Sequence, residues 1–328
     1  MTSIILLKLL KKLYAKSVGG FQLPALIREE DPDIISEIIY NYLINDSPCM
    51  ISRFGSTELL NIVNYLGIKK GKQPILNYIK GEALDWWWNS SNINQLVEWS
   101  GFFPKDIKAV EEFCQLTLNC ATQIDVLGSW LPNEYYVNDY VKNSVKVWLI
   151  FLDPFWAKSP WTLALKGKKV LVIHPFAELI KEQYYNKRTL LFKNNDILPE
   201  FHLKTIKAIQ SLGGDCSLYS TWFKALDSMK KQIDQCDFDI CLLGCGAYGL
   251  PLASHIKSIG KKAFHIGGSL QLLFGIIGKR WENPQYAIKA KAICPQLDYP
   301  SLVNEHWVRP GINNKPRNSQ SVENGCYW

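Results

Sequence analysis

The sequence has no apolar run of the roughly 20 residues that a helix needs to cross a bilayer. Its most apolar start, residues 4–13, is followed rather than preceded by charge, so it does not read as a signal peptide either. None of the nine cysteines belongs to a CxxC pair, which argues against a zinc site or disulfide framework and for a reduced, cytoplasmic protein. There are no internal repeats and no low-complexity tracts. Nor is there a large charge excess: 37 basic against 30 acidic residues leave +7. That suits an anionic substrate or membrane surface without being the footprint of a nucleic-acid binder, and no nucleic-acid partner is expected. What is present, 47% hydrophobic residues over 328 positions, is enough for a folded core. Aromatics are abundant (12 Trp and 15 Tyr), as in sugar and lipid sites, although they fill cores more often.

Residues 1–20 read as a separate amphipathic helix. Lys8, Lys12 and Lys16 recur at i, i+4 and i+8 beside Ile5, Leu6, Leu9, Leu10 and Leu13, and Gly19-Gly20 detaches the segment. Such a helix suits an anionic leaflet, and the competing reading is a helix packed on the protein's own core. Residues 21–310 form one α/β unit, within which 69–150 is aromatic-rich (Trp86, Trp87, Trp88, Trp99, Trp130) and is taken to shape an acceptor pocket. Residues 311–328 are a loop-like tail whose apolar tip, GCYW, should dock somewhere.

The α/β rhythm is carried by short apolar runs that stop at turn residues. Pro32–Ile44 is an expected helix behind an Asp31 cap. Residues 49–54 (CMISRF) are a strand ended by Gly55, with Ser56 or Thr57 able to cap the next helix. Arg53 and Glu58 bracket that junction, as site residues or as a structural ion pair. Further expected elements are a helix over 105–120, strands at 124–127 (with Asp125 near the end), 145–151 and 169–173, a helix over 201–212, a strand at 216–219 and a helix over 222–233. Alternation of this kind implies a mostly parallel, Rossmann-like sheet with helices on both faces.

The stretch 239–281 is central. A strand ends in Gly244-Cys245-Gly246-Ala247-Tyr248-Gly249, a G-x-G-x-x-G turn that opens a helix. A second strand stops at Gly267-Gly268, where Ser269 could cap a helix. Strand ends opening onto helix N-termini suit a phosphate. The glycines serve equally well for a sharp turn alone. A dinucleotide site wants an acid at the end of the second strand, yet His265, Ile266 and Gly267 stand there, so no NAD is expected. His174 and His265, each closing a strand, are candidate proton carriers. His202 and His255 read as structural residues inside helices, and His306 ranks below the strand-end pair.

The segment CMISRFGSTELLNIVNYL resembles the RFGDGE segment of the GT-D type glycosyltransferases found in bacterial polysaccharide and adhesin-glycosylation loci. HPFAELIKEQYYNKRTLLF, the glycine stretch through GIIGKRW, NEHWVRP and GCYW resemble a related group of uncharacterised proteins from surface-polysaccharide gene clusters. The resemblance spans most of residues 30–328. It implies an α/β enzyme that moves a sugar from a nucleotide-sugar donor to an acceptor, here a lipid-linked glycan, with a divalent metal (Mn²⁺ or Mg²⁺) at an acidic D-x-E motif. Glu58 matches the second acid, as general base or metal ligand, and Arg53 the preceding arginine. The first acid is Ser56 here, a poorer metal ligand than a carboxylate. Gly55, Ser56, Gly244, Gly246, Gly249, Gly267 and Gly268, with Lys279 and Arg280 as mobile cations, would then hold the donor diphosphate. Open alternatives are a nucleotide-dependent oxidoreductase or epimerase, a pyruvyl-type transferase, and a non-enzymatic assembly protein. All of the transferase residues would have to face one cleft.

Overall fold

A computed structural model describes residues 2–214, 218–311, 315–316, 318–321 and 324–328. After an outlying helix α1 (Thr2–Ser17), the α/β body begins at α2 (Pro32–Ile44), where Asp31 accepts the backbone N–H groups of Asp33 (2.8 Å) and Ile34 (3.1 Å). β1 (Met50–Ser52) then leads into α3 (Ser56–Lys70), α4 (Ile75–Lys80), α5 (Ser90–Ser100) and α6 (Ile107–Ala121). β2 (Val126–Ser129), β3 (Val145–Trp148), β4 (Lys169–His174) and α7 (Ala177–Lys187) follow. The chain continues through β5 (His202–Lys207), α8 (Trp222–Asp234), β6 (Ile240–Leu243), α9 (Gly249–Ser258) and β7 (Lys262–His265).

The seven strands form one parallel sheet in the order β3-β2-β1-β7-β6-β4-β5. Period-two alternation sends successive side chains to opposite faces. Ile51, Val126, Val172, Leu242 and Phe264 pack with α2, α7 and the C-terminal region. Met50, Leu127, Ile173, Leu243 and Ala263 pack with α3, α5, α6, α8 and α9. The fold is therefore α/β and Rossmann-like, with both faces of the sheet covered. No helix among the described residues is long and apolar enough to cross a membrane.

Two expectations change. The helix expected over 201–212 is the edge strand β5, paired with β4 from Lys169 opposite His202 to His174 opposite Lys207. Its buried Leu203 and Ile206 serve opposite faces while Lys204 and Lys207 keep the edge polar. His202 is thus on a strand, not in a helix. Of the strand expected at 216–219, Cys216 and Ser217 lie outside the described residues, and Leu218 and Tyr219 take no part in the sheet. The strands expected at 124–127 and 145–151 within the aromatic-rich stretch are present as β2 and β3, β3 giving way to a 3₁₀ turn at Leu149.

Asp125 lies at the amino end of β2, away from the rim where strands feed helices. Its Oδ2 accepts Met50 N–H (2.7 Å) and Lys257 Nζ (2.7 Å), and its carbonyl accepts Val145 N–H (2.8 Å), tying together three strand starts and α9. Asp125→Ala should cost about 2 kcal/mol in urea unfolding, from the lost charge-assisted bonds, while leaving ligand binding at the opposite rim unchanged.

Candidate functional site

All the parallel strands end at one rim, and the connections diverge there. β4 leads outward to β5, whereas β6 leads the other way to β7. A crevice forms at such a switch point. Here it is a cleft of about 620 Å³. Arg53, Glu58, His174, Gly244, Gly246 and Gly268, from four strand ends, line it, whereas Gly249, Gly267, His265 and Lys279 do not.

Three helices begin at this cleft: α3 after β1, α7 after β4 and α9 after β6. None has a side-chain cap: α3 starts behind Gly55 and α7 behind Phe176, while α9 continues a 3₁₀ turn, Gly246–Tyr248, that starts behind Cys245 and in which Gly246 O takes the Gly249 N–H. Ser56 and Thr57 lie inside α3 and do not cap it. The other helices of comparable length in the body are capped by their own side chains: α2 by Asp31, α5 by Asn89, α6 by Asp106 and α8 by Thr221. First-turn N–H groups without an intrahelical partner must bond elsewhere, and their dipoles favour an anion.

Arg53 and Glu58 form no ion pair, which removes the structural-pair alternative. The Arg53 guanidinium donates to Phe54 O (3.1 Å) and sets its Nε–Nη2 edge against Gly267, where a Cβ would sit 2.6 Å from Nη2. Gly267 also has φ +93°, so a side chain there is disfavoured twice over. Glu58 folds back over Gly55, where a Cβ would collide with its carboxylate. Thr57 Oγ1 donates to its Oε2 at 3.4 Å, and Glu58 lines the cleft.

The two histidines differ. His174 is buried at the cleft wall, its Nδ1 accepts Phe176 N–H (3.0 Å), and burial lowers its pKa to about 3. The ring is therefore neutral, with the proton on Nε2, and acts as a hydrogen-bond donor. His265 does not reach the open cleft. Its Nδ1 meets the Ser52 hydroxyl (3.1 Å), its Nε2 has no hydrogen-bond partner, and it faces a small void of about 10 Å³ that shares Arg53, Glu58 and Gly246 with the cleft. Burial and then Arg53 hold its pKa well below the usual imidazole value.

Aromatic side chains make the remaining walls. Trp130 is fixed by its Nε1–H bond to Phe54 O (3.0 Å), and Trp99, Trp148 and Tyr286 also line the cleft. Trp86 and Trp87 instead pack on Tyr78, away from it. The chain's last two residues, Tyr327 and Trp328, complete the wall. Arg280 is held there by Tyr327 Oη (3.0 Å) and Cys326 Sγ (3.2 Å), so it is a fixed cation rather than a mobile one. Lys279 is exposed and not part of the lining. The expected helix after Gly268 is a 3₁₀ turn with Gly267, not Ser269, at its cap.

Asp153, which follows the apolar run 145–151 and precedes Pro154, is not among the sequence candidates. It lines the cleft, buried, with Tyr299 Oη donating to its Oδ2 (2.6 Å), and burial pushes its pKa up to about 6 against hydrogen bonds from Ser269 and Tyr299. Asp-Pro directly after an apolar run was the available signal.

The metal implied by the resemblance fits poorly. No group of three or more His, Cys, Asp or Glu side chains able to hold a metal occurs among the described residues. At the motif Glu58 stands with a serine, one carboxylate where a hard divalent cation wants several oxygens. No step below is routed through a metal.

Asp153 gives a pH signature. A carboxyl whose pKa rises from 3.8 to about 6 on folding stabilises the fold fully below pH 3.8 and loses that contribution as pH rises to about 6. The unfolding free energy of wild type minus Asp153→Asn should therefore fall by roughly 3 kcal/mol across that window, at about 1.4 kcal/mol per pKa unit, and stay flat above it. Denaturant titrations at several pH values measure this. Comparison of the chain with protein-family models, curated proteins and solved structures finds no match in any of the three.

Proposed function

We propose that this chain is a glycosyltransferase that passes a sugar from a nucleotide-sugar donor to a hydroxyl of a lipid-linked glycan in bacterial surface-polysaccharide assembly. The observation that carries the reading is the set of three uncapped helix N-termini meeting at one cleft beside Arg53, which has no carboxylate partner among the described residues. Pre-aimed N–H groups and a guanidinium stabilise charge developing on a leaving diphosphate without reorganising. The tryptophan walls suit sugar rings, whose C–H faces stack on aromatic surfaces. The pathway and lipid-linked acceptor rest on the sequence resemblance.

In this reading the acceptor oxygen attacks the anomeric carbon and its proton passes to Glu58. The bond from that carbon to the diphosphate oxygen breaks, and its electron pair stays on the diphosphate beside Arg53 and the amides of Gly246 and α3. His174 donates through Nε2. Asp153 holds Ser269 and Tyr299 at the wall. After β7 comes Ile266-Gly267-Gly268, with no carboxylate to take a ribose, which favours a nucleotide sugar over a dinucleotide.

Thermal-shift screening of UDP, GDP and dTDP species, with and without Mg²⁺ or Mn²⁺, tests the donor site. One of them at a hundred times its Kd should add about 2.7 kcal/mol of stability. Arg53→Ala should lose most of that shift. Glu58→Gln should keep it while losing on the order of 10²–10⁴ in transfer rate. A shift with NAD(H) alone would return the glycine turn to a dinucleotide role, and no shift with any nucleotide would leave an assembly protein.

A further inference from the structure

Helix α1 lies outside the α/β body and rests on α4. Its inner face is Ile4, Leu7, Lys11 and Tyr14, half-buried at a spacing of three and four. Lys11 Nζ sits over the Tyr78 ring at 4.5 Å, and Phe21 N–H binds Lys80 O (2.9 Å) just beyond the helix, which fixes which side faces inward. The outer face is the unusual one. Ile5 (68% exposed), Leu6 (55%), Leu9 (51%), Leu10 (38%) and Leu13 (53%) form one continuous stripe facing away from the body. α4 beneath it also leaves Ile75 and Leu76 exposed. A contiguous apolar surface of this kind on a folded protein marks an interaction site.

Charge identifies the occupant. Lys8, Lys12 and Lys16 run along one flank of the stripe, Lys8 nearest the body with its Nζ 5.9 Å over the Trp87 ring. None has an ion-pair partner among the described residues, and no acidic residue occurs before Glu29. A second copy pairing stripe to stripe would bring two lysine rows together and pay like-charge repulsion. An anionic lipid surface matches both features, taking leucines among the acyl chains and lysines at the headgroups. We infer that α1 docks the protein in the plane of an anionic membrane through Ile5, Leu6, Leu9, Leu10 and Leu13, with Lys8, Lys12 and Lys16 on the headgroups. This inference is independent of the chemistry in the cleft.

Co-sedimentation of the full chain with vesicles of phosphatidylcholine alone, or with added phosphatidylglycerol, tests it. Binding should require the anionic lipid and weaken with salt. The exposed Leu9→Glu change should cut partition at least about tenfold, and the triple change of Lys8, Lys12 and Lys16 to Gln on the order of a hundredfold, or about fivefold per lysine. Circular dichroism should show both variants folded, since the altered side chains are exposed. Equal binding to both vesicle types, or to neither, would overturn the proposal. So would a wild-type dimer in sedimentation velocity that Leu9→Glu dissolves, which would assign the stripe to a second copy.

Discussion

Everything about the site follows from the strands all running one way. A parallel sheet must be covered on both faces, because its connections return as helices, and all its carboxyl ends then share one rim. Here that rim receives β1, β4, β6 and β7 within a single cleft, together with the helices that three of them launch. The same arrangement sends Asp125 and Lys257 to the opposite rim, where they tie strand starts together. Chemistry and fastening are thus separated by strand direction, before any particular side chain is considered.

The cleft also concentrates unfavourable burial. A neutral histidine and three helix starts without side-chain caps lie on one surface, each costing stability that a structural site would recover with a partner. Caps elsewhere in the chain are well made, so this sequence can supply an Asp, Asn or Thr at a helix start. Gly55 at the α3 cap instead gives Glu58 the space to fold back, because any side chain there would collide with the carboxylate. Polar groups left available in this way are what a ligand meets.

Much of the fold was legible in the sequence where the local signals agreed. α2 has both an aspartate cap and Pro32 in its first turn, and β4 and β6 are apolar runs bounded by turn residues. β5 was not legible, because Phe201, Leu203, Ile206 and Ile209 can be fitted to a helix. Only the neighbour β4, which accepts a sixth residue pair at His174, turns that segment into a strand. At the site, Arg53, Glu58 and the glycine turns could be read from strand ends. The burial that makes Asp153 titrate near pH 6 could not, since Tyr299 and Ser269 come from distant sequence. The missing caps were equally hidden, because Ser56 beside Gly55 looks like a cap until the helix start is placed.

The glycine turn shows how a motif can be right in place and different in role. In a dinucleotide site the three glycines serve the turn, the pyrophosphate and the strand–helix contact. In this chain a Cβ on Gly244 would sit 2.6 Å from His174 Cδ2, and one on Gly249 would strike the His265 ring. Two of the three glycines therefore exist to admit imidazoles from neighbouring strands. Gly246 alone has a positive φ (+57°) with no atom within 4 Å of its would-be Cβ, and it lines the cleft. Under the proposed function, a donor phosphate at this turn would meet a single open glycine, flanked by the neutral donor His174 and by Arg53. That geometry has room for one anionic group in close backbone contact, and any further charge recognition would have to come from side chains rather than from a glycine-lined cradle.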